Sequence, residues 1–515
     1  MGSTSPEVAA GRGGPRAHWP EWGPALGVLL LHLLFLAGYG VFRDELYYVA
    51  CGRHPGWGYV DHPPLVGWIA WLVRQIAGES YLALRVVAAV AGAATVWVGA
   101  RLARELGGGP FARVLAGLSL GLAPIVLSLV SIFSMNVFDL LFWALVILTV
   151  ARVLAGGDPR LWLVFGAVAG LGLLNKISVL FLGFGLAAGL LVARRWDVFR
   201  SRWFWAGGAL AALLFLPHLA WQQANGWPTL EFMSNARRYK MAALPVSGFL
   251  TETLLQTAPS AWLWLLGVGW LVFAPAARSW RALGWGFLVV VATLALTCGK
   301  PYYLAAAYVL PFAAGAVAVE GWTTGRGRWL RAPLAVVVLL VSLALSPFGR
   351  PILPVDTYVR YAAALGIAPG TDERHELGRL PQFYADMHGW REMAEAVSEV
   401  VHQLPPADQA RACVFGQNYG EAGAVEYFGP QLGLPPAISA HNSYWLWGPG
   451  ACTGDVVVVI GDQRERLVEL FGSVELGTVF SCRDCMPYES GRSIWVGRDL
   501  KVPMRELWAE IKSFN

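Results

Sequence analysis

Charge is scarce in this sequence: of 515 residues only 14% are Asp, Glu, Lys or Arg, against 56% hydrophobic residues. So few charges cannot give several soluble domains their solvated surfaces, and a mean hydropathy of +0.50 places the chain in the membrane class. A basic face is missing as well. The net charge is +5 and the pI 8.9, yet the arginines are scattered between hydrophobic segments, which argues against nucleic acid as a partner. No small-residue cleavage pattern follows the first apolar run, 24–41, although Arg12 and Arg16 precede it as they would in a signal peptide. The run ends in Phe-Arg-Asp-Glu-Leu-Tyr-Tyr and reads as a retained first span.

What is present is a series of apolar stretches, each close to the ~20 residues that cross a hydrocarbon core. They predict spans at 24–42, 82–103, 111–130, 134–153, 160–175, 177–194, 203–222, 258–276, 282–298, 303–319 and 331–347, about eleven helices. With residues 1–23 as a cytoplasmic tail, the inner loops carry Arg101 and Arg104, Arg152 and Arg160, Arg194, Arg195, Arg200 and Arg202, Arg278 and Arg281, then Arg326, Arg328 and Arg331. This is a positive-inside pattern. The transmembrane domain therefore covers 24–349, with long external loops at 43–81 and 223–257, and 350–515 is expected outside. The third and fourth spans also read as one broken unit, and a miscount there would move 350–515 to the cytoplasm.

From Arg350 onward the composition is that of a soluble protein. Short apolar runs at 410–416 and 455–460 predict buried strands, and 390–403 and 464–471 have helical spacing, so a small α/β domain is expected. Cys413, Cys452, Cys482 and Cys485 lie in it. The Cys482-Arg-Asp-Cys485 spacing admits redox chemistry, a metal or a disulfide, and Cys413 and Cys452 lack the paired spacing of a four-thiolate zinc site.

Charges at membrane depth are costly, so those at span ends are candidates for function. Asp44 and Glu45 follow the first span; a carboxylate there is a general base for an incoming hydroxyl or amine, or caps the next helix. In the same loop, Asp61-His62-Pro63-Pro64 is held extended by two prolines, and an Asp-His pair suits a divalent cation or a phosphate environment. Lys176 and Lys300, isolated in apolar hairpins, and Arg237, Arg238 and Lys240 in the second loop break the positive-inside trend. A lipid-linked phosphate at headgroup depth explains them; snorkelling explains them too. Asp139, at the outer end of the fourth span, is expected to face the cavity of Asp44, the alternative being a hydrogen bond within the helix bundle. Tyr302 and Tyr303 follow Lys300 and fit either a site or an aromatic belt. Intramembrane carboxylates and lysines also mark secondary transporters, but no inverted repeat is visible and the charges gather near one face.

Together, the Asp-Glu pair after the first span, Asp61-His62-Pro63-Pro64-Leu65, an Asp early in the fourth span and Lys300-Pro301-Tyr302-Tyr303-Leu304 form a pattern. It resembles the bacterial membrane glycosyltransferases related to protein O-mannosyltransferases and to the aminoarabinose transferase of lipid A. The resemblance extends to Leu380-Pro381-Gln382-Phe383-Tyr384-Ala385-Asp386 and to Asn418-Tyr419-Gly420-Glu421-Ala422-Gly423-Ala424. It implies the C-type glycosyltransferase fold in a plasma-membrane protein. It also implies inverting transfer of a sugar from a polyprenyl phosphate to a lipid, glycan or protein acceptor on the outer side. Carried over by motif, Asp44 is the catalytic base, with Glu45 its neighbour and Asp139 in the same site. Asp61 and His62 stand where the aminoarabinose transferase has a Glu-Lys pair that contacts metal and lipid phosphate. Lys176, Lys300, Arg237 and Arg238, with Tyr302, Tyr303 and His62, would hold the carrier phosphate.

Overall fold

The computed structural model describes residues 19–241, 244–371 and 373–515; the expected tail therefore lies almost wholly outside the described residues, and Arg12 and Arg16 with it. All eleven expected spans fall on helix. Among the described residues, six stretches are long and apolar enough to cross a bilayer: Tyr81–Glu105, Met135–Leu154, Arg202–Ala224, Pro275–Leu296, Pro301–Trp322 and Gly325–Phe348. Pro110–Gly121 and Pro124–Ser131 make a seventh if taken as one unit, bent by 62°. The break falls inside the third span, and the fourth is separate. Its cause is Pro124, which has no amide to donate and holds Ala123 extended at ψ 131°. The other four expected spans are shorter helices, including Trp19–Leu34, which stops before the acidic pair.

In chain order the helices used below are α1 (Trp19–Leu34), α2 (Arg43–Arg53), α3 (Leu65–Ala77), α4 (Tyr81–Glu105), α5 (Pro110–Gly121), α6 (Pro124–Ser131), α7 (Met135–Leu154), α8 (Leu161–Asn175) and α9 (Val179–Val192). The two long loops are not irregular: α2 and α3 occupy the first, and Pro228–Asn235 and Val246–Leu255 are helices in the second. Bundle helices approach through glycine. A Cβ on Gly267 would collide with the Pro311 carbonyl, and one on Gly315 with that of Leu263, so Ala261–Phe273 and Val309–Trp322 lie backbone to backbone. Without a hydrophobic drive between helices in lipid, such close packing is what holds them together.

Residues beyond 350 build a five-stranded sheet of order β2-β1-β3-β5-β4, from β1 (Ala412–Gly416), β2 (Ala437–Ile438), β3 (Val456–Ile460), β4 (Phe471–Phe480) and β5 (Arg492–Leu500). β1 is parallel to β2 and β3, whereas β5 is antiparallel to β3 and β4. Every side chain of β3 is buried, and the helices Trp390–Gln403 and Tyr419–Phe428 share its core. That core also takes in Leu46, Tyr47, Ala50 and Cys51 of α2. Tyr48 and Val49 of the same helix pack into the core of the bundle, so α2, which by sequence lies between the first two spans, joins the two parts of the molecule.

Candidate active site

α2 starts with the acidic pair, and its two carboxylates meet opposite surroundings. Glu45 turns inward and is fully buried. Its carboxylate accepts from the Phe42 amide at 2.9 Å, from the Phe133 amide at 2.8 Å, and from two nitrogens of Arg85 at 2.8 and 2.6 Å. With every lone pair engaged, Glu45 ties α2 to α4 and to the turn before α7. It is therefore a structural anchor and not a catalytic group. Asp44, one residue earlier, keeps 36% of its side chain exposed, accepts a 2.8 Å hydrogen bond from the Tyr419 hydroxyl and lies 3.6 Å from the Arg43 guanidinium. Of the pair, it alone can meet a substrate.

Asp44 opens into a cavity of about 270 Å³, together with Arg43, Asn136, Lys300, Tyr302, Glu373, Gln382 and Asp386. α2 supplies its first wall, α6 and α7 a second, and Gly370, Thr371 and the segment 373–386 a third. Arg43 donates to the Tyr488 hydroxyl at 2.7 Å and approaches Asp386 at 3.7 Å. Burial raises the Asp386 carboxyl to about 7, with Arg43 offsetting part of the shift and Asp44 and Glu373 adding to it. Glu373 is the reverse case. Burial alone would raise it, but Lys240, Arg43 and Lys300 hold it down at about 2. It lies 3.6 Å from both Lys240 and Lys300. The segment is held over the cavity by backbone pairing of Met241 with Glu373 and by the Arg374 amide donating to the Lys240 carbonyl at 3.1 Å.

The sequence-predicted residues divide accordingly. Asp44, Lys300 and Tyr302 line the cavity. Asp139 does not reach it: the carboxylate is buried, accepting from Ser178 at 2.6 Å with Lys176 at 3.7 Å, and Asn136, one turn earlier, faces the cavity instead. Lys176 stands behind that wall, donating to Asn136 at 2.7 Å and lying over the rings of Tyr303 at 5.1 Å and Tyr302 at 5.7 Å. Tyr303 meets Tyr302 edge-on at 4.7 Å and lies outside the cavity lining. Arg237 and Arg238 point to solvent; from the same turn Lys240 reaches Glu373. Asp61 and His62 both have partners within the protein. Asp61 accepts from the Tyr47 hydroxyl at 2.7 Å. His62 is buried among Tyr47, Tyr48 and Tyr59, with Nδ1 2.8 Å from the Pro63 carbonyl and Nε2 3.8 Å from Cys51 Sγ. No three His, Cys, Asp or Glu side chains converge among the described residues. The same burial removes His62 from the phosphate.

The sequence alone does not mark Arg43, Glu373, Asp386, Tyr419 or Tyr488 as site residues. Asp386 and Tyr419 do fall within the two outer-domain motifs quoted above, but Glu373 and Tyr488 have no local signal, because only the fold over the cavity brings them there. Of the cysteines, Cys413 and Cys452 form a disulfide with Cα atoms 5.7 Å apart, and Cys482 and Cys485 are free thiols.

No curated protein matches the chain in sequence. Two crystal structures of ArnT from Cupriavidus metallidurans, one bound to undecaprenyl phosphate and one in the apo state, share its fold. The first has a TM-score of 0.59 at 14% identity, over 92% of this chain and 97% of that one. The second has a TM-score of 0.62 at 14% identity, over 92% and 96%. Residues 61–221 match the family model described as dolichyl-phosphate-mannose-protein mannosyltransferase, on a chain that has the fold of ArnT over nearly its whole course.

Proposed function

We propose that this protein is an inverting membrane glycosyltransferase that moves a sugar from a polyprenyl phosphate to an acceptor hydroxyl or amine. The observation that carries the reading is one cavity that joins an open carboxylate, Asp44, to a lysine, Lys300, in a fold shared with a structure bound to undecaprenyl phosphate. Asp44 takes the acceptor proton as the acceptor atom attacks the anomeric carbon. The bond from that carbon to the phosphate oxygen breaks on the opposite face, and the electron pair leaves with the polyprenyl phosphate. Negative charge grows on the leaving group, and Lys300 with Lys240 beside it stabilises that charge more than the ground state. In the absence of a donor, Glu373 supplies the negative charge that these lysines need. No step is assigned to a metal.

The cavity and the C-terminal domain belong to the extracytoplasmic side of a plasma membrane. Two observations support this: the arginine-rich connections alternate with those that carry Asp44, Lys176 and Lys300, and the domain holds a disulfide, which persists in oxidising compartments. The secondary-transporter reading has no comparable support, since the charges converge at one end of the bundle and both comparisons point to transferases.

The test is Asp44→Asn in purified protein supplied with a polyprenyl-phosphate sugar. Loss of general-base catalysis should lower transfer by about 10³-fold, with donor binding kept. Full activity in this variant would remove Asp44 from the mechanism.

A further inference from the structure

A second and larger cavity, about 510 Å³, lies in the C-terminal domain at its seam with α2. Nothing in the transfer chemistry uses it. One wall is aromatic: the His54 and Trp447 rings stack at 4.4 Å and 18°, and Tyr444 meets Trp447 at 4.8 Å and 61°. Beside it stands a fixed carboxylate. Glu426 accepts from the Tyr444 hydroxyl at 2.8 Å and pairs with Arg53 at 3.2 Å, so its orientation is set before any ligand arrives. At the rim Arg411 and Asp455 are about half exposed, at 52% and 49%, and lie 3.8 Å from each other. Cys413 and Cys452 both line the cavity, so their disulfide fastens the turn that follows Trp447 to β1.

This mixture is specific in its chemistry. A wholly apolar pocket would suit a lipid tail, and a cationic one a phosphate. Here an aromatic face adjoins charged and hydroxyl groups of both signs, which matches a pyranose ring: apolar C–H groups lie on an aromatic surface while the equatorial hydroxyls reach outward to carboxylate and guanidinium. Helix α2 sets the distance to the reaction. Asp44 is in its first turn and His54 follows its last residue, about 15 Å further at 1.5 Å per residue. A single donor sugar, fixed through its phosphate beside Lys300, covers only a fraction of that distance.

We infer that this cavity binds a saccharide unit of the acceptor, holding a glycan chain so that its growing end reaches Asp44. The inference rests on the transferase reading for the word acceptor, but the binding itself is measurable without any transfer. The probes are neutral trisaccharides of glucose, mannose and N-acetylglucosamine, added to the full-length protein in detergent and followed by saturation-transfer NMR and calorimetry. At least one should bind. Trp447→Ala and Glu426→Gln should each weaken it tenfold or more, Trp447→Phe should keep most of it, and binding of undecaprenyl phosphate should be unchanged in all three. No bound trisaccharide at millimolar concentration, binding that ignores these substitutions, or displacement by a serine-rich peptide in place of a sugar would each overturn the inference. Failure here leaves the Asp44 test untouched, and an active Asp44→Asn variant would leave saccharide binding intact.

Discussion

At the scale of single residues, adjacent carboxylates on one helical turn do unlike work because a 100° step of the helix points one inward and one outward. Glu45 and Arg85 are a buried pair, and removing one partner leaves the other's charge uncompensated. Glu45→Ala should therefore lower stability by about 3–5 kcal/mol, measured as unfolding in detergent, while Asp44→Asn stays within about 0.5 kcal/mol of the parent. Equal losses in both would contradict the assignment. The pair was visible in the sequence, but its division of labour was not, since which carboxylate meets Arg85 depends on where α4 passes. Asp386 gives a pH prediction. Its carboxyl sits at about 7 because burial outweighs Arg43 at 3.7 Å, and one of its oxygens has no hydrogen-bond partner. A folded value above the unfolded one, ~3.9, means that its stabilising contribution is complete below pH ~4 and is lost as pH rises through 7. Thermal unfolding between pH 4 and 8 should fall less steeply in Asp386→Asn than in the parent; parallel curves would show that the carboxyl does not titrate there.

At the scale of elements, α2 decides most of what the site can do. Its N-terminal turn carries Asp44, its buried face joins the core of the C-terminal domain, and its C-terminal end borders the second cavity. Hydropathy found the spans because an apolar run of bilayer length is a local property of sequence. It did not find the bend at Pro124, because a proline within a long apolar run is compatible with a kinked span as well as a broken one. Likewise β1 and β3 were legible as buried apolar runs, whereas β4, mostly exposed, and β5 were not. Helix contacts in the bundle give a paired test. Gly267→Ala would force Ala261–Phe273 away from Pro311, whereas Gly269→Ala, on the same helix, meets nothing within 4 Å. The first should lower the unfolding temperature by several degrees and the second should leave it unchanged or raise it slightly. If both behave alike, the close approach of these two helices is wrong.

At the scale of the whole molecule, the proposed extracytoplasmic placement of the C-terminal domain rests on the arginine asymmetry and on an odd number of spans. A periplasm-dependent reporter fused after Phe348 should be active, and a cytoplasm-dependent one silent; the opposite result would place the domain and its disulfide inside. Local composition was enough to establish a polytopic chain with a soluble C-terminal part, and to mark Asp44, Lys300 and Tyr302 as costly or unusual groups at one face. Those are properties of short segments, and they survive without knowledge of neighbours. What only the tertiary structure decided is which of the marked groups meet. Asp139 and Glu45 are satisfied by buried partners from other helices and His62 is buried against the Pro63 carbonyl, while Glu373, Arg43 and Asp386 enter the cavity from a segment more than 300 residues distant in the chain and from the turn beside Asp44. A carboxylate's sequence neighbours do not reveal whether a guanidinium from elsewhere will neutralise it or a cavity will leave it open, and that difference separates an anchor from a base.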